Sequence, residues 1–422
     1  MATELGIALL GAGTVGAAVA RELDEHADRL AERSGGPLVL RRVAERDPRR
    51  LAALRTGAAA LDGDAAVSVA APDVDIVVEL LGGMEPAAGL LAASLGRGLG
   101  AVTANKAVIA THGRRLSAGV HPGSGGLAFE AAVGAAIPVL GVLRDSLQGD
   151  EVRSVTAVIN GTTNHILRRL EAGDDFDRAV ADAQERGFAE ADPSNDLDGH
   201  DPAQKLCILA WFAMGAEVTP DQVERRGIRG IDAADLRAAG DIGSVIRLVA
   251  RAERAEGGLR LTVQPTLLPG SGHALADLEG ADNAVLVESD LAGRLLLRGR
   301  GAGADAAASA VLSDLVAVAR ARRAGGAVSL PPAVPRSVDD RGLSAGGSWI
   351  RVQVADGHTP ADVTGTVERG GVAVERVILG DADGRLAVLT GPGTRAALAK
   401  ALEALEGTAS VIQVMDRLEE AG

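Results

Sequence analysis

The sequence is short of several residue types, and each shortage excludes a class of protein. Its single cysteine, Cys207, excludes an intramolecular disulfide and any zinc or redox site built from paired cysteines. Aromatic residues make up 1% of the chain, and tyrosine, which some dehydrogenases use as their acid, is absent. With a net charge of −14 as well, the chain has neither the basic patch nor the stacking rings of a nucleic-acid-binding protein.

Lysine is also scarce. Only Lys106, Lys205 and Lys400 occur, and the other 40 basic residues are arginine. Arginine always keeps its charge, whereas lysine can release a proton when its surroundings lower its pKa. The three lysines are therefore the first candidates for proton chemistry, with chance retention as the alternative for each of them.

The absence of three further sequence patterns excludes other classes of protein. The seven histidines form no HExxH pair, which argues against a zinc hydrolase. No apolar run reaches the ~18 residues that a membrane span needs, and the N-terminus lacks the basic region and cleavage site of a secretory signal. We expect a soluble cytoplasmic protein. Its 422 residues are enough for two or three domains.

The hydrophobic pattern predicts an α/β fold in three parts. Strand patterns at 5–10, 38–44, 74–81 and 101–105 alternate with helix patterns, the first of them over 17–33, which predicts a Rossmann-type, doubly wound parallel sheet. Beyond residue 130 we expect an apolar helix at 131–149, a buried helix at 203–215 and strands at 151–159, 259–269 and 284–299. The predicted parts are a dinucleotide-binding domain (1–130, with helix 305–323 packing back on it), an α+β substrate and dimerisation domain (131–323), a linker (324–347) and a small βαββαβ domain (348–422).

A glycine-rich loop follows the first strand and opens the first helix. It reads Gly11-Ala12-Gly13-Thr14-Val15-Gly16. In a GxGxxG loop the first glycine permits a tight turn, the second lets the backbone approach a pyrophosphate, and the third lets the helix pack on the strand. The second strand ends in Glu45 and Arg46. An acid here favours the ribose of NAD and an arginine favours the 2′-phosphate of NADP, and a solvated charged turn is the alternative for either residue. The loop predicts dinucleotide binding and leaves the choice of cofactor open.

Five carboxylates and a lysine lie together in 187–205, which reads GFAEADPSNDLDGHDPAQK. An EF-hand loop would need a bidentate glutamate where Lys205 stands, which argues against calcium. Asp201 is a suitable N-cap with Pro202 at the first helical position, and Asp201 and Lys205 share one helix face. A lysine beside acids at the start of a buried helix suits a tuned proton donor, and a surface ion pair is the alternative. Cys207, in the apolar run that follows, is expected to be inert core.

This segment resembles the signature of the homoserine dehydrogenase family. The matching residues are Asp192-Pro193-Ser194-Asn195-Asp196-Leu197-Asp198-Gly199-His200-Asp201-Pro202-Ala203-Gln204-Lys205. Four more segments are similar to the family in the same order: Val78–Gly83, Thr103–Ala107, Asn160–Asn164 and Gly299–Gly303. The resemblance covers about residues 5–325. It implies NAD(P)-dependent interconversion of L-aspartate 4-semialdehyde and L-homoserine, in threonine and methionine biosynthesis. Another amino-acid dehydrogenase, or a nucleotide-sensing regulatory protein without turnover, is the alternative.

The resemblance also implies roles for particular residues. Lys205 would be the acid/base lysine and Lys106 a second active-site cation, with Glu190, Asp196 and Asp201 binding substrate. The cofactor, NADP or NAD, would contact Gly11, Ala12, Gly13, Thr14, Val15, Gly16, Arg46, Gly82, Gly83, Thr103, Lys106 and Gly303. A sodium ion would be held by Glu130 and by backbone carbonyls of Val133, Ala135 and Ile137, with a helix-start or interface acid as the alternative for Glu130. The family further implies a homodimer or homotetramer. Departures from the family pattern are His165 in place of an aromatic residue, Glu45 in place of an aliphatic one and His200 in place of an apolar one.

The last 75 residues are similar to an ACT domain, an amino-acid-sensing module. Such modules bind their ligand at the loop before the first helix, where the motif is Asp-x-x-Gly. Here the loop reads Asp356-Gly357-His358-Thr359-Pro360, so Thr359 replaces the glycine. A Cβ at this position keeps a ligand away from the backbone. We therefore expect the module to be present and to help assembly, and inhibition by threonine to be weak or absent.

Overall fold

The structure is a computed structural model, and it describes residues 3–54, 57, 59–280, 282–338, 343–344, 347–379 and 384–418. The chain forms two compact units. The first unit comprises Met1–Val152, Cys207–Pro220 and Leu297–Pro335, and the second comprises Arg153–Leu206, Asp221–Leu296 and Arg336–Gly422. No helix in the described ranges is long and apolar enough to cross a membrane.

The helices and strands follow one another along the chain in three stretches. The first contains β1 (Leu5–Leu10), α1 (Thr14–Glu25), α2 (Ala27–Ser34), β2 (Leu38–Ala44), α3 (Pro48–Ala53), β3 (Ala60–Asp62), α4 (Ala65–Ala70), β4 (Ile76–Glu79), α5 (Ala87–Gly96), β5 (Gly100–Thr103), α6 (Lys106–Ala118) and β6 (Leu127–Ala128). The second contains α7 (Val139–Gly141), β7 (Val152–Val158), α8 (Gly161–Glu171), α9 (Phe176–Glu185), α10 (Ser194–Leu197), α11 (His200–Met214), β8 (Ala216–Glu217), β9 (Glu224–Arg225), α12 (Ala233–Asp241), β10 (Ser244–Ala255), β11 (Gly258–Pro269), β12 (Asp282–Ser289), β13 (Gly293–Arg300), α13 (Ala304–Arg323) and β14 (Val334–Pro335). The third contains β15 (Leu343–Ser344), β16 (Ser348–Val354), α14 (Pro360–Arg369), β17 (Val374–Leu379), β18 (Arg385–Thr390), β19 (Gly393–Thr394), α15 (Arg395–Ala404) and β20 (Ala409–Arg417).

The first unit contains a parallel sheet of six strands in the order β3-β2-β1-β4-β5-β6. All six residues of β1 are buried, because helices cover both faces of such a sheet. The order changes direction beside β1, and ligands of doubly wound sheets bind at the carboxyl ends of the strands next to such a switch point. The predicted Rossmann-type sheet is therefore present.

Helix α13 packs against this sheet although it is distant from it in sequence. Val311, Leu315 and Val318 of α13 share a buried cluster with Ile7 of β1 and Val19 of α1. This contact is the one expected for helix 305–323, which the structure extends to Ala304–Arg323.

Three local predictions are wrong. The helix expected at 131–149 is a 3₁₀ turn at Glu130–Ala132, a loop, and a short helix with a π-helical turn over Val139–Ser146, because Gly134 has positive φ and Pro138 precedes the helix. The single helix expected at 17–33 is divided at His26 into α1 and α2. The strand expected at 284–299 is two strands, β12 and β13.

The large sheet of the second unit is mixed. Its order is β13-β12-β7-β10-β11-β20-β16-β18-β17, with β9 paired to β11. The longest pairing joins β10 and β11, which are antiparallel over twelve residue pairs. Helices α8, α9 and α11 carry the segments on either side of the carboxylate-rich loop, so this unit positions Lys205 and its neighbours.

The C-terminal segment has the predicted βαββαβ order, with its four long strands arranged as β20-β16-β18-β17. Its sheet is continuous with that of the preceding segment, because β20 pairs with β11 through Thr266 and Asp416. A buried ion pair reinforces the junction: Arg351 Nη1 of β16 lies 2.5 Å from Asp235 Oδ2 of α12. Residues 339–342 and 345–346 of the predicted linker lie outside the described residues.

Candidate active site

The glycine-rich loop joins β1 to α1, and its three glycines meet different surroundings. A Cβ on Gly11, whose φ is +98°, would lie 2.6 Å from Leu80 O, and one on Gly16 would lie 2.0 Å from Gly11 O. A Cβ on Gly13 would meet only Arg50 Nη1, at 3.7 Å. Close packing therefore requires glycine at the first and third positions, whereas the backbone at the second position is open to a ligand. No side chain caps α1. The N–H groups of its first turn, which begins at Thr14, are therefore available to a phosphate group.

Glu45, at the end of β2, is bonded to the glycine loop. Its Oε2 accepts the N–H of Ala12 at 3.0 Å, and its Oε1 accepts the N–H groups of Arg46 and Asp47 at 2.8 and 3.0 Å. Burial raises the pKa of Glu45, but these three hydrogen bonds together with the charge of Arg50 outweigh it, so the pKa is lowered. The interpretation of Glu45 as a solvated turn residue is wrong, because its carboxylate ties two loops together.

A cleft of about 550 Å³ opens in front of this loop. Gly11, Gly13, Arg46 and Arg50 line it on the side of the first two strands, and Gly82 lines it on the side of β4. Arg46 is exposed and lines the cleft, so its positive charge is available there to an anionic group of a ligand. The residues present thus fit a dinucleotide.

The ends of β4 and β5 carry further predicted cofactor residues, and hydrogen bonds hold them together. Thr103 donates its hydroxyl to Glu79 Oε2 at 2.5 Å, and Asn105 donates Nδ2 to Gly83 O at 2.6 Å. Asn105 also caps α6, whose first residue is Lys106. Burial raises the pKa of Glu79, against the opposing hydrogen bond from Thr103. Glu79 and Asn105 were not predicted as site residues, although both stand in the family-like segments.

Lys205 is held by two hydrogen bonds at the start of the buried helix α11. Its Nζ donates to Asp201 Oδ2 at 2.8 Å and to the carbonyl oxygen of Ile159, at the end of β7, at 2.7 Å. The side chains of Lys205 and Asp201 are 12% and 6% exposed. The predicted pair therefore exists, but it is not a surface ion pair. Helix α11 begins at His200, two residues before Pro202, so the prediction of Asp201 as its N-cap is wrong.

Asn160 connects this pair to a second carboxylate. Its Nδ2 donates to Asp201 Oδ2 at 2.9 Å and to Asp196 Oδ1 at 2.7 Å, while its Oδ1 caps α8 by accepting the N–H of Thr163. Burial raises the pKa of Asp196, although the hydrogen bond from Asn160 opposes the shift. The structure thus brings together Asp196, Asp201 and Lys205, three of the predicted site residues. Sequence reasoning missed Asn160, whose only signal was its place in the segment Asn160–Asn164.

Glu190 and Lys106 are positioned by other elements. Glu190 lies on the loop after α9 with an exposed side chain, and Gln184 Nε2 donates to its carbonyl oxygen at 3.1 Å. Lys106 and the other predicted cofactor residues belong to the first unit, whereas Glu190 and Lys205 belong to the second. Gly303, with a φ of +117°, is the N-cap of α13.

The predicted cation loop is arranged around Glu130. Its two carboxylate oxygens accept the N–H groups of Leu140 at 2.7 Å and Gly141 at 2.8 Å, and its own N–H donates to Asp314 Oδ2 at 2.7 Å. Burial raises the pKa of Glu130, and burial with the charge of Glu130 raises the pKa of Asp314 to about 8.

The loop between Glu130 and α7 carries the three predicted carbonyl ligands. Val133, Ala135 and Ile137 are buried in it, and Ala135 has a φ of +48°, which is rare outside glycine. Within the described residues, no group of three or more His, Cys, Asp or Glu side chains could hold a metal ion. Any cation held here would therefore need backbone oxygens in addition to side-chain carboxylates.

Comparison with known proteins places these features in one family. The family model described as "Homoserine dehydrogenase, NAD binding domain" matches residues 11–121, and the model "Homoserine dehydrogenase" matches residues 138–316. The chain is 45% identical over 330 residues to homoserine dehydrogenase of Corynebacterium glutamicum, covering 76% of this chain and 73% of that protein. It is 44% identical over 328 residues to the Mycobacterium tuberculosis protein of the same name, covering 76% and 74%.

Solved structures agree with this assignment. A homoserine dehydrogenase from Thiobacillus denitrificans superposes with a TM-score of 0.90 at 30% identity, over 99% of both chains. A hyperthermophilic archaeal homoserine dehydrogenase in complex with NADPH superposes with a TM-score of 0.64 at 29% identity, over 74% of this chain and 97% of that one. The glycine loop, the Lys205 cluster and these likenesses together show that the chain belongs to the homoserine dehydrogenase family.

Proposed function

We propose that this protein interconverts L-aspartate 4-semialdehyde and L-homoserine with NAD(P)(H), at the branch that leads to threonine and methionine. The observation that carries the proposal is the largely buried ammonium of Lys205, held by Asp201 and the carbonyl of Ile159. An assay of NADPH oxidation with L-aspartate 4-semialdehyde tests it. Turnover supports the proposal, whereas bound NADPH without turnover on this aldehyde supports a nucleotide-sensing protein or a dehydrogenase for another amino acid.

Lys205 has the contacts that a proton donor needs. An ammonium has three N–H donors, and two of them are directed to Asp201 and Ile159, which leaves one for the carbonyl oxygen of the aldehyde. Bound NAD(P)H supplies the hydride. Lys205 then transfers a proton from Nζ to that oxygen as negative charge develops on it, and in the reverse direction the neutral amine takes the proton back. Asp201 keeps the ammonium oriented.

In this proposal different residues bind the substrate and the cofactor. Asp196, Asp201 and Glu190 would bind the amino-acid part of the substrate, since carboxylates suit its ammonium group. Lys106, at the N-terminus of α6, would be a second cation near the reacting groups. The glycine loop would hold the pyrophosphate of the dinucleotide, and Arg46 would contact the 2′-phosphate of NADP.

A sodium ion at the Glu130 loop is also proposed. The donor set, one carboxylate and the carbonyl oxygens of Val133, Ala135 and Ile137, consists of oxygen atoms only, which suits a hard cation. The unusual φ of Ala135 shows a backbone held in a strained turn within this loop. Thermal unfolding in sodium chloride against choline chloride tests the site. Sodium should raise the Tm of the native protein and leave that of the variant Glu130→Gln unchanged.

The C-terminal segment is proposed to be an ACT-like module in which a side chain of the protein occupies the place of the amino-acid ligand. Thr359 and Asp362 form a capping box at the start of α14: the N–H and the hydroxyl of Thr359 each donate to Asp362 Oδ2 at 2.7 Å. A carboxylate of the protein thus occupies the helix N-terminus that an amino-acid ligand would use. We expect no inhibition by threonine. Inhibition below about 1 mM that is lost in Asp356→Asn would contradict this.

A point substitution is the appropriate test, because deletion would damage the second unit. Removing residues 348–422 would take β20 from β11 and leave the buried guanidinium of Arg260 without Asp416, which lies 3.1 Å from it. Loss of threonine sensitivity in such a truncated chain would not distinguish a lost sensor from a misfolded enzyme.

A homodimer or homotetramer is proposed as the assembly. The strand β13 lies at one end of the large sheet, where Leu296 is 46% exposed, and Leu291 in the preceding turn is 84% exposed. Exposed leucines beside a sheet edge suit pairing with a second copy. Light scattering of the native protein gives the assembly mass, and a monomer would contradict the proposal.

A further inference from the structure

His165, where the family pattern has an aromatic residue, lies at a junction of two helices and a loop. From α8 its Nε2 lies 2.6 Å from Asp182 Oδ2 of α9. Its ring packs on Phe188, with ring centroids 4.9 Å apart and planes inclined by 35°. The side chain is 13% exposed. One imidazole therefore holds both α9 and the segment that follows it.

That segment leads directly to Glu190, and its backbone is fixed from both helices. The carbonyl oxygen of Phe188 accepts the hydroxyl of Thr162 at 2.6 Å, and its N–H donates to Ala183 O at 2.8 Å. Gln184 Nε2 donates to the carbonyl oxygens of Glu190 and Ala191 at 3.1 and 3.2 Å. The position of the Glu190 backbone thus depends on how α9 is held against α8.

We propose that His165 is a positioning residue for substrate binding: through Asp182 and Phe188 it fixes the loop that presents Glu190 to L-aspartate 4-semialdehyde. This inference rests on the proposed substrate-binding role of Glu190. The N-cap of helix α8, Asn160, contacts Asp201 and Asp196, so one helix connects the lysine cluster to the Glu190 loop.

Two arginines also contact Asp182, so His165 can be replaced without leaving this carboxylate unpaired. Arg186 Nε and Arg169 Nε lie 2.9 and 3.9 Å from the same Oδ2 of Asp182. The hydrogen bond from His165, with these two arginines, lowers the pKa of Asp182. The variant His165→Phe removes one partner of the carboxylate and leaves the two cations. It also retains a ring against Phe188, so the fold should survive.

The experiment compares His165→Phe, His165→Gln and Glu190→Gln in the full-length enzyme. Loss of one hydrogen bond in His165→Phe should raise the KM for L-aspartate 4-semialdehyde about 3- to 10-fold, as expected for a side-chain hydrogen bond. The kcat and the KM for NADPH should stay within about 2-fold. His165→Gln restores a donor at a similar reach and should recover part of the loss. In Glu190→Gln/His165→Phe the KM should equal that of Glu190→Gln alone, because both changes act on one contact.

Each other outcome is informative. If His165→Phe lowers the Tm but leaves the KM for the aldehyde unchanged, His165 only joins the helices and the inference is wrong. Additive effects in the double variant also overturn it. If Glu190→Gln alone leaves the KM unchanged, the role of Glu190 fails and the inference fails with it. Inactivity of the native enzyme on this aldehyde would overturn the proposed function itself.

Discussion

Replacing Lys205 with arginine keeps a positive charge at the start of α11 but removes the group that can release a proton. The native ammonium donates to Ile159 O at 2.7 Å and Asp201 Oδ2 at 2.8 Å, on side chains that are almost fully buried. A guanidinium is planar and larger, and its pKa is too high for it to release a proton in a protein. The variant Lys205→Arg therefore cannot keep both contacts while offering an acidic N–H to the substrate.

The size of the expected effect follows from the role. General acid catalysis by one positioned side chain contributes about 10²- to 10⁴-fold, which corresponds to about 3–5 kcal/mol of activation free energy at ~1.36 kcal/mol per decade. We expect kcat to fall by this factor in an NADPH-oxidation assay with L-aspartate 4-semialdehyde. NADPH binding, measured by fluorescence titration, should persist because the glycine loop belongs to the first unit.

The chain offers a matched control. Lys400 lies exposed on α15 and is not among the proposed site residues, so Lys400→Arg makes the same chemical change there and should leave kcat unchanged. If Lys205→Arg keeps more than about a tenth of native kcat, Lys205 does not transfer the proton. If it also loses NADPH binding, the variant has disturbed more than the acid and the assay cannot be used to assign the role.

The remaining predictions concern the first unit. Lys106→Arg should lower kcat less than Lys205→Arg does, because a charge near the substrate partly survives; an equal loss would point to a proton-transfer role. Arg46→Ala should raise the KM for NADP more than that for NAD, and equal changes would exclude Arg46 as the phosphate contact. Glu45→Val should weaken both cofactors, because three N–H groups lose their acceptor; a selective gain for NADP would contradict this. Asp314, whose pKa is raised from 3.8 to about 8, binds its proton more tightly in the folded state. Its contribution to stability is therefore lost as pH rises toward 8, on the order of 1 kcal/mol per pH unit. In sodium-free urea titrations Asp314→Asn should gain unfolding free energy relative to the native protein between about pH 5.5 and about pH 8; no gain would contradict the raised pKa.

The sequence predicted the fold where hydrophobic periodicity is strong. Buried strands such as β1, alternating with helices, led to the parallel sheet, and the alternation near the C-terminus led to the βαββαβ order. Strand β10 was missed, because its pattern SVIRLVARAERA places charged residues within a strand whose inner part is buried. The apolar run at 131–149 was mistaken for a helix, since periodicity does not show that Gly134 and Pro138 interrupt it.

The site was predictable only where its partners are near in sequence. The pair Asp201 and Lys205 follows from an i,i+4 spacing, and the structure retains it. The other acceptor of Lys205, Ile159 O, is 46 residues away, and Asn160 is 41 residues from Asp201. Such contacts depend on where β7 ends beside α11, which only the three-dimensional packing decides.

The acidic residues divide into two kinds by the partners of their oxygens. Glu45, Glu130 and Asp362 accept backbone N–H groups, so much of their hydrogen-bonding capacity is used to fix a loop or a helix start. Asp196 and Asp201 instead accept from the side chains of Asn160 and Lys205. Side-chain donors can turn toward a bound molecule, whereas a backbone N–H cannot move without its loop. Residue type alone does not distinguish these five acids, but their partners do. Backbone contacts hold Glu45, Glu130 and Asp362 within loops and helix starts, whereas Asp196 and Asp201, the proposed substrate-binding acids, have partners that can turn.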